Sequence, residues 1–106
     1  MVCKCGHILR CAGNTLYTGI AADIGRRMAE HFGQTEKCAK YTKSHKAEKL
    51  EALWQTENRS LASKLEYRIK QLTKAQKLRL IGDNAYLSQI IGEESENYIR
   101  KNRLPD

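Results

Sequence analysis

The stretch LYTGI at residues 16–20, followed by DIGRRMAEH at residues 23–31, decides the fold of this chain. The β-branched residues on either side of Gly19 favour a strand, and the glycine lets another group approach the backbone closely. Asp23 is a good N-cap, because its carboxylate suits the positive end of a helix. The stretch therefore predicts a strand that leads through a short loop into a helix ending near Phe32.

The predicted helix has an apolar side and a basic side. Its apolar residues recur every four positions: Ile24, Met28 and Phe32. Arg27 and His31 are also four residues apart, so they lie side by side on a neighbouring face. Taken alone, the helix is most simply an amphipathic helix with a solvated basic flank. With Tyr17 nearby, it also gathers a phenol, a guanidinium and an imidazole.

The residues on either side of this stretch predict a hairpin before it and a loop after it. A first strand is expected at residues 6–11, a turn at 12–14 and the returning strand at 14–20. Gly33 is a plausible stop for the helix. Residues 34–47 have no clear period and carry four lysines, which indicates a surface loop.

The following segment predicts one more strand and two helices. Residues 48–56 favour a third strand, and residues 60–72 form a strongly amphipathic helix. Thr73 with Gln76 is a capping-box pattern that opens a helix at 74–81. The order β-β-α-β-α-α indicates an α+β fold, with a small, three-stranded, largely antiparallel sheet flanked by helices.

The chain is predicted to divide at residue 82, after which the sequence GDN at 82–84 interrupts the helix. Apolar residues then return at helical spacing: Tyr86, Leu87, Ile90 and Ile91. Residues 93–106 are polar and predict a frayed helix or a tail. We therefore expect one domain at 1–82 and a C-terminal helical extension or flexible tail at 83–106.

Composition favours a polyanionic partner. The 106 residues include 19 Lys and Arg against 12 Asp and Glu, for a net charge of +7. Such a surplus suits DNA, RNA or an acidic membrane face. No segment has the roughly 20 consecutive apolar residues that cross a bilayer, and the first residues do not resemble a signal peptide. The sequence thus predicts a cytoplasmic protein.

The four cysteines allow two interpretations. Cys3, Cys5 and His7 alternate and would point to one face of a strand. Together with Cys38 they would make a zinc site, although the spacing does not match the usual gap between zinc-binding cysteines. The other interpretation, which the spacing favours, is reduced thiols without a common role, with Cys11 as a small buried apolar residue.

Five stretches, in order and with near-normal spacing, resemble the GIY-YIG nuclease superfamily: residues 8–11, 16–20, 23–31, 39–42 and 65–77. The resemblance covers about residues 6–82. It is strongest to the small single-domain branch, which is similar to the nuclease module of the excision-repair endonuclease UvrC. It implies hydrolysis of DNA phosphodiester bonds with one Mg²⁺ or Mn²⁺ ion, in DNA repair or processing.

The resemblance also assigns roles to individual positions. Tyr17, Gly19, Arg27 and His31 match the signature tyrosine, glycine, arginine and histidine of the family. Glu66 matches the glutamate that holds the metal ion. By residue type alone, Glu66 is also explained as a surface carboxylate paired with a lysine one turn later.

The chain departs from the family where the first signature strand should present a tyrosine, because His7 stands there. Histidine is a competent general base near neutral pH and could replace the phenol in proton transfer. Arg26, Lys40 and Tyr41 are further candidates for substrate contacts. Two functions stay open: a metal-dependent endonuclease acting on structured or damaged DNA, and a non-catalytic nucleic-acid-binding module with the same fold.

Overall fold

The computed structural model describes residues 4–33 and 45–101. In chain order the elements are β1 (Lys4–Cys11), β2 (Thr15–Ala21), α1 (Ile24–Gly33), β3 (Ala47–Thr56), α2 (Arg59–Lys70), α3 (Lys74–Gly82), α4 (Tyr86–Ile91), a 3₁₀ helix (Gly92–Asn97) and β4 (Ile99–Lys101). The strands form one antiparallel sheet in the order β2-β1-β3-β4. The predicted α+β class is confirmed.

The hairpin of β1 and β2 fixes the register of the sheet. Its loop comprises residues 12–14, and Gly13 and Asn14 adopt φ values of +77° and +58°. Glycine and asparagine are the residues that adopt positive φ most readily, which explains the turn signal in the sequence. The register that follows pairs His7 with Gly19 and Leu9 with Tyr17. The loop thereby determines which side chains meet across the two strands.

Helices cover both faces of the sheet. On one face α1 contributes Ile24 and Met28 to a cluster with the odd-numbered residues of β1. On the other face α2, α3 and α4 pack on a larger cluster around Trp54, whose members are Ile8, Ala52, Trp54, Leu65, Ile69, Leu80, Leu87 and Tyr98. Ala52, Leu53 and Trp54 are consecutive and all buried. A strand buried on both faces does not alternate, which is why Leu53 breaks the alternation that Leu50 and Ala52 begin in β3.

The sequence prediction of three strands misses β4. This strand has three residues, too few to give an alternating pattern, and pairs with Leu53, Trp54 and Gln55 of β3. The Arg100 guanidinium lies over the Trp54 ring and donates hydrogen bonds to the carbonyls of Leu80 and Ile81. These contacts join β4 to the C-terminal turn of α3, so residues 99–101 are a strand where a frayed helix or tail was expected.

The segment after α3 buries side chains in the cluster around Trp54. Leu87 and Tyr98 both belong to that cluster. The division of the chain at residue 82 stays a prediction. Within the described ranges, no helix is long and apolar enough to pass through a bilayer.

Candidate active site

The topology brings several chain segments together at one end of the sheet. Because β1 and β2 are antiparallel, the start of β1 lies beside the end of β2, where Cys5 pairs with Ala21. The end of β3 is at the same place, since Thr56 pairs with Lys4. The helices α1 and α2 follow β2 and β3 after two-residue connections. Their N-terminal turns therefore begin at this end, on opposite faces of the sheet.

Two ring side chains meet over Gly19 on the face that carries α1. The rings of His7 and Tyr17 have centroids 6.4 Å apart and are inclined by 47°. A Cβ atom on Gly19 would lie 3.0 Å from Nε2 of His7, 3.0 Å from Cε2 of Tyr17 and 3.2 Å from its hydroxyl oxygen. The group that approaches the backbone at Gly19 is thus this pair of rings. Within the pair, the His7 side chain is fully buried.

The N-terminal turn of α1 carries the candidate arginines. Asp23 caps the helix as predicted, because its Oδ1 accepts a hydrogen bond from the backbone N–H of Arg26. Glu30 accepts a hydrogen bond from Nη1 of Arg27 at 3.0 Å and lies 3.7 Å from Nε of Arg26. One carboxylate therefore serves two guanidinium groups, and the Arg26 side chain is mostly exposed.

A cleft of about 400 Å³ opens between the N-terminal turns of α1 and α2. Ile20 and Ala21, which follow Gly19 directly in β2, form part of its wall. The charged side chains that line it are Lys4, Asp23, Arg26, Arg27, Glu30 and Arg59. Four cationic groups against two carboxylates leave the cleft with a net positive charge, which suits an anionic ligand.

Glu66 lies on α2, one helical turn beyond Ala62, which lines the cleft. Residues three or four apart share a helix face, so Glu66 lies on the same face of α2 as Arg59 and Ala62, farther from the N-terminus of the helix. Its side chain is 25 % exposed, and its Oε2 lies 3.5 Å from the Lys70 ammonium group. The structure brings together His7, Tyr17 and Gly19, places Arg26 and Arg27 around the Glu30 carboxylate, and pairs Glu66 with Lys70.

The remaining candidates lie wholly or partly outside the described residues. His31 belongs to α1, four residues after Arg27. Its side chain is outside the described part of the structure. Lys40 and Tyr41 lie outside the described residues, as do Cys3 and Cys38 of the alternative zinc site.

The described cysteines behave as buried apolar residues. Cys5 and Cys11 are both buried on the face that carries α1. Burial is the main cause that raises the pKa of the Cys11 thiol, and the nearby Glu48 raises it further. Within residues 4–33 and 45–101, no three His, Cys, Asp or Glu side chains are grouped to hold a metal ion. The zinc alternative thus depends on residues outside these ranges.

Lys4 and Arg59 line the cleft, yet the sequence did not single out either residue. Lys4 precedes the predicted first strand, and Arg59 precedes the helix predicted at residues 60–72 by one position. Neither belongs to a motif, so only the meeting of β1 and α2 at one end of the sheet reveals them. A basic residue directly after an N-cap asparagine is too common a pattern to have indicated a site.

A family model described as the GIY-YIG catalytic domain matches residues 3–79. The chain is 49 % identical over 86 residues to UPF0213 protein Ent638_3592 of Enterobacter sp. (strain 638), covering 80 % of this chain and 82 % of that protein. It is 42 % identical over 85 residues to UPF0213 protein YhbQ of Salmonella arizonae, covering 80 % and 83 %. YhbQ of Escherichia coli O127:H6 is 41 % identical over 85 residues, with the same coverage. No solved structure gives a significant match.

Proposed function

The chain belongs to the GIY-YIG catalytic domain family, and we propose that it is a divalent-metal-dependent endonuclease that hydrolyses DNA phosphodiester bonds. One observation carries the proposal: His7 and Tyr17 meet over Gly19, and the next residue of β2, Ile20, lines a cationic cleft together with Arg27. The same strand thus carries a ring that can accept a proton and leads into a cleft with a charge that suits phosphate. The proposed setting is the bacterial cytoplasm, in repair or processing of structured or damaged DNA.

Arg27 is the residue that would bind the phosphate to be cut. Its guanidinium is always charged and forms two parallel hydrogen bonds to phosphate oxygens. Glu30 holds Nη1 of Arg27, which restricts the side chain near the cleft. Arg26, with its exposed side chain, would contact a phosphate nearby, while Lys40 and Tyr41 are proposed contacts on the loop after α1.

Tyr17 and His7 are the residues that would accept a proton from the attacking water. The water oxygen forms a bond to phosphorus while one ester P–O bond breaks, so the water proton needs an acceptor. A phenol near a cation and an imidazole are both suitable, and the two rings lie together over Gly19. His31, one turn after Arg27, is a proposed relay or phosphate contact.

Glu66 is the residue that would hold the metal ion. A single, partly exposed carboxylate fits Mg²⁺ or Mn²⁺, because such ions take oxygen ligands and keep several waters. The ion pair with Lys70 engages Oε2 at the long distance of 3.5 Å, so it competes weakly for the carboxylate. When bound, the ion would stabilise the charge on the phosphate and on the leaving oxygen.

The test is nicking of supercoiled plasmid DNA in Mg²⁺ or Mn²⁺, with EDTA as the metal-free control. We expect Glu66→Gln and Arg27→Ala each to reduce the nicking rate about 100-fold or more, since each removes a group that stabilises the transition state. Glu57→Gln is the matched control, because Glu57 is an exposed carboxylate just before α2. It should leave the rate within a factor of about two.

The alternative function is a nucleic-acid-binding module that has lost catalysis. The observation that favours it is His7 in the position of the family tyrosine. Salt-sensitive DNA binding by the wild-type protein, with no nicking in either metal, would overturn the nuclease proposal and support this alternative. Nicking that persists in Glu66→Gln would instead show that the metal assignment is wrong.

A further inference from the structure

We propose that Lys4 and Arg59 form a second phosphate subsite in the cleft, which binds a phosphate of the DNA strand next to the one that is cut. The inference rests on the proposed function, because it extends the same DNA-binding cleft. It differs from that function in the residues it uses, which come from β1 and α2 rather than from α1. It can also be tested without any cleavage.

The charges in the cleft single out these two residues. Glu30 is already paired with Arg27 and lies near Arg26, and Asp23 accepts a hydrogen bond from the α1 backbone. Among the residues that the structure describes, no carboxylate forms an ion pair with Lys4 or Arg59. Two cationic side chains thus face one opening without a compensating acid, which favours an anion from solution.

The shape of the cleft fits a sugar–phosphate chain. Its volume of about 400 Å³ is within the range of small-ligand sites. Between the charged groups the wall is formed by small or branched apolar residues, namely Ile20, Ala21, Ala22 and Ala62. Such a wall accommodates the apolar side of a deoxyribose while the cations contact the phosphate.

The position of the subsite indicates how it is used. Arg27 lies on the α1 side of the cleft and Arg59 on the α2 side. A strand whose scissile phosphate is held by Arg27 would present its neighbouring phosphate across the cleft. Contacts to phosphates carry no information about the bases. The subsite therefore selects a strand that continues past the cut, whatever its sequence.

The first test measures binding of a fluorescent 20-base-pair DNA duplex in EDTA, which prevents cleavage, over a series of salt concentrations. For Arg59→Gln we expect about tenfold weaker binding at moderate salt, because a charge-assisted contact is lost. The slope of log affinity against log salt should become smaller by about 0.9, the value for one released phosphate contact. Lys4→Gln should show the same direction of change.

Lys64→Gln is the matched control for this measurement. Lys64 lies on α2 like Arg59 and is exposed, but it does not line the cleft. It loses the same charge from the same helix, so any general electrostatic effect appears in both variants. If Lys64→Gln changes the slope as much as Arg59→Gln and Lys4→Gln do, the subsite does not exist.

The second test locates the phosphate. In a set of duplexes, each carries one uncharged methylphosphonate at a different position. We expect one position to weaken binding to the wild-type protein about tenfold and to have little further effect on Arg59→Gln, since the same contact cannot be lost twice. Absence of such coupling at every position would overturn the proposal. Because no step requires cleavage, failure of the nuclease proposal would leave this result intact.

Discussion

The two faces of the sheet differ in what they bury, although the same strands supply both. The face under α2, α3 and α4 buries large apolar side chains around Trp54. Its polar ring atoms have local acceptors: Trp54 Nε1 donates to Asn84 at 2.7 Å, and the Tyr98 hydroxyl donates to the Leu61 carbonyl at 2.7 Å. The face under α1 buries smaller apolar groups and holds the His7–Tyr17 pair.

This difference suggests that one face of the sheet contributes most to stability and the other face carries the candidate reactive residues. Apolar area removed from water is the main favourable contribution to folding, and the face around Trp54 carries the larger share of bulky side chains. The face under α1 gives part of its area to polar rings and to a glycine without a side chain. We therefore expect changes around Trp54 to lower the free energy of unfolding, and changes around Gly19 to affect DNA cleavage first.

Leu65→Ala should give the largest loss of stability. Leu65 is buried on α2, and its Cδ2 reaches within 2.9 Å of the position that a Cβ on Gly6 would occupy. Removing this side chain leaves a cavity against β1, so unfolding in urea should become easier by about 2–5 kcal/mol. The exposed Leu78→Ala on α3 is the control, with an expected change below about 1 kcal/mol. A Leu65→Ala cost as small as that of Leu78→Ala would contradict the assignment of stability to this face.

Gly19→Ala should have a smaller effect on stability and a large effect on cleavage. The new methyl group would lie 3.0 Å from both His7 and Tyr17, so the two rings must move apart. Such overpacking costs about 1–3 kcal/mol. The rings must move by roughly a few tenths of an ångström, which should reduce nicking about tenfold, less than the ~100-fold cost of a 1 Å misplacement. Urea denaturation and plasmid nicking on the same sample separate the two effects.

Gly82→Ala is the matched control for that variant. Gly82 ends α3, and nothing lies within 4 Å of the Cβ it would gain. The change should leave stability the same or raise it slightly, because alanine favours the helix, and should leave nicking unchanged. If Gly19→Ala nicked DNA as well as Gly82→Ala does, the ring pair would not take part in the reaction.

Local sequence signals predicted most of the fold, because each depends on neighbouring residues. The hairpin loop, the Asp23 cap and the capping box of Thr73 and Gln76 are all confirmed. The three-residue strand β4 was missed because its position depends on Arg100 reaching the end of α3. Contacts over long sequence separation of this kind leave no periodic pattern.

The candidate site was predictable to the extent that it follows from strand register. Once the hairpin loop is placed at residues 12–14, His7 must lie opposite Gly19 and diagonal to Tyr17. The cleft was not predictable, because it depends on where α1 and α2 begin relative to each other. Lys4 and Arg59 are distant in sequence and line one cleft only because of that packing.

Tyr98→Phe removes a buried hydroxyl from the face around Trp54 and should have the smallest effect on the free energy of unfolding. Burial is the main cause that raises the pKa of the Tyr98 phenol, and Glu94 raises it further. A phenol whose pKa is higher in the folded state stabilises the protein fully below the unfolded value near 10, and this contribution is lost as pH rises through the folded pKa. The free energy of unfolding should therefore fall on the alkaline side in the wild type, and less in Tyr98→Phe.

At neutral pH the same variant should lose about 0.5–1.5 kcal/mol, because the hydrogen bond to the Leu61 carbonyl is gone while the ring still packs. The control is Tyr67→Phe, since Tyr67 is 64 % exposed and lies on α2, the helix that also carries Leu61. It should match the wild type in both stability and alkaline slope. An equal alkaline slope in wild type and Tyr98→Phe would mean that the buried phenol does not couple ionisation to folding.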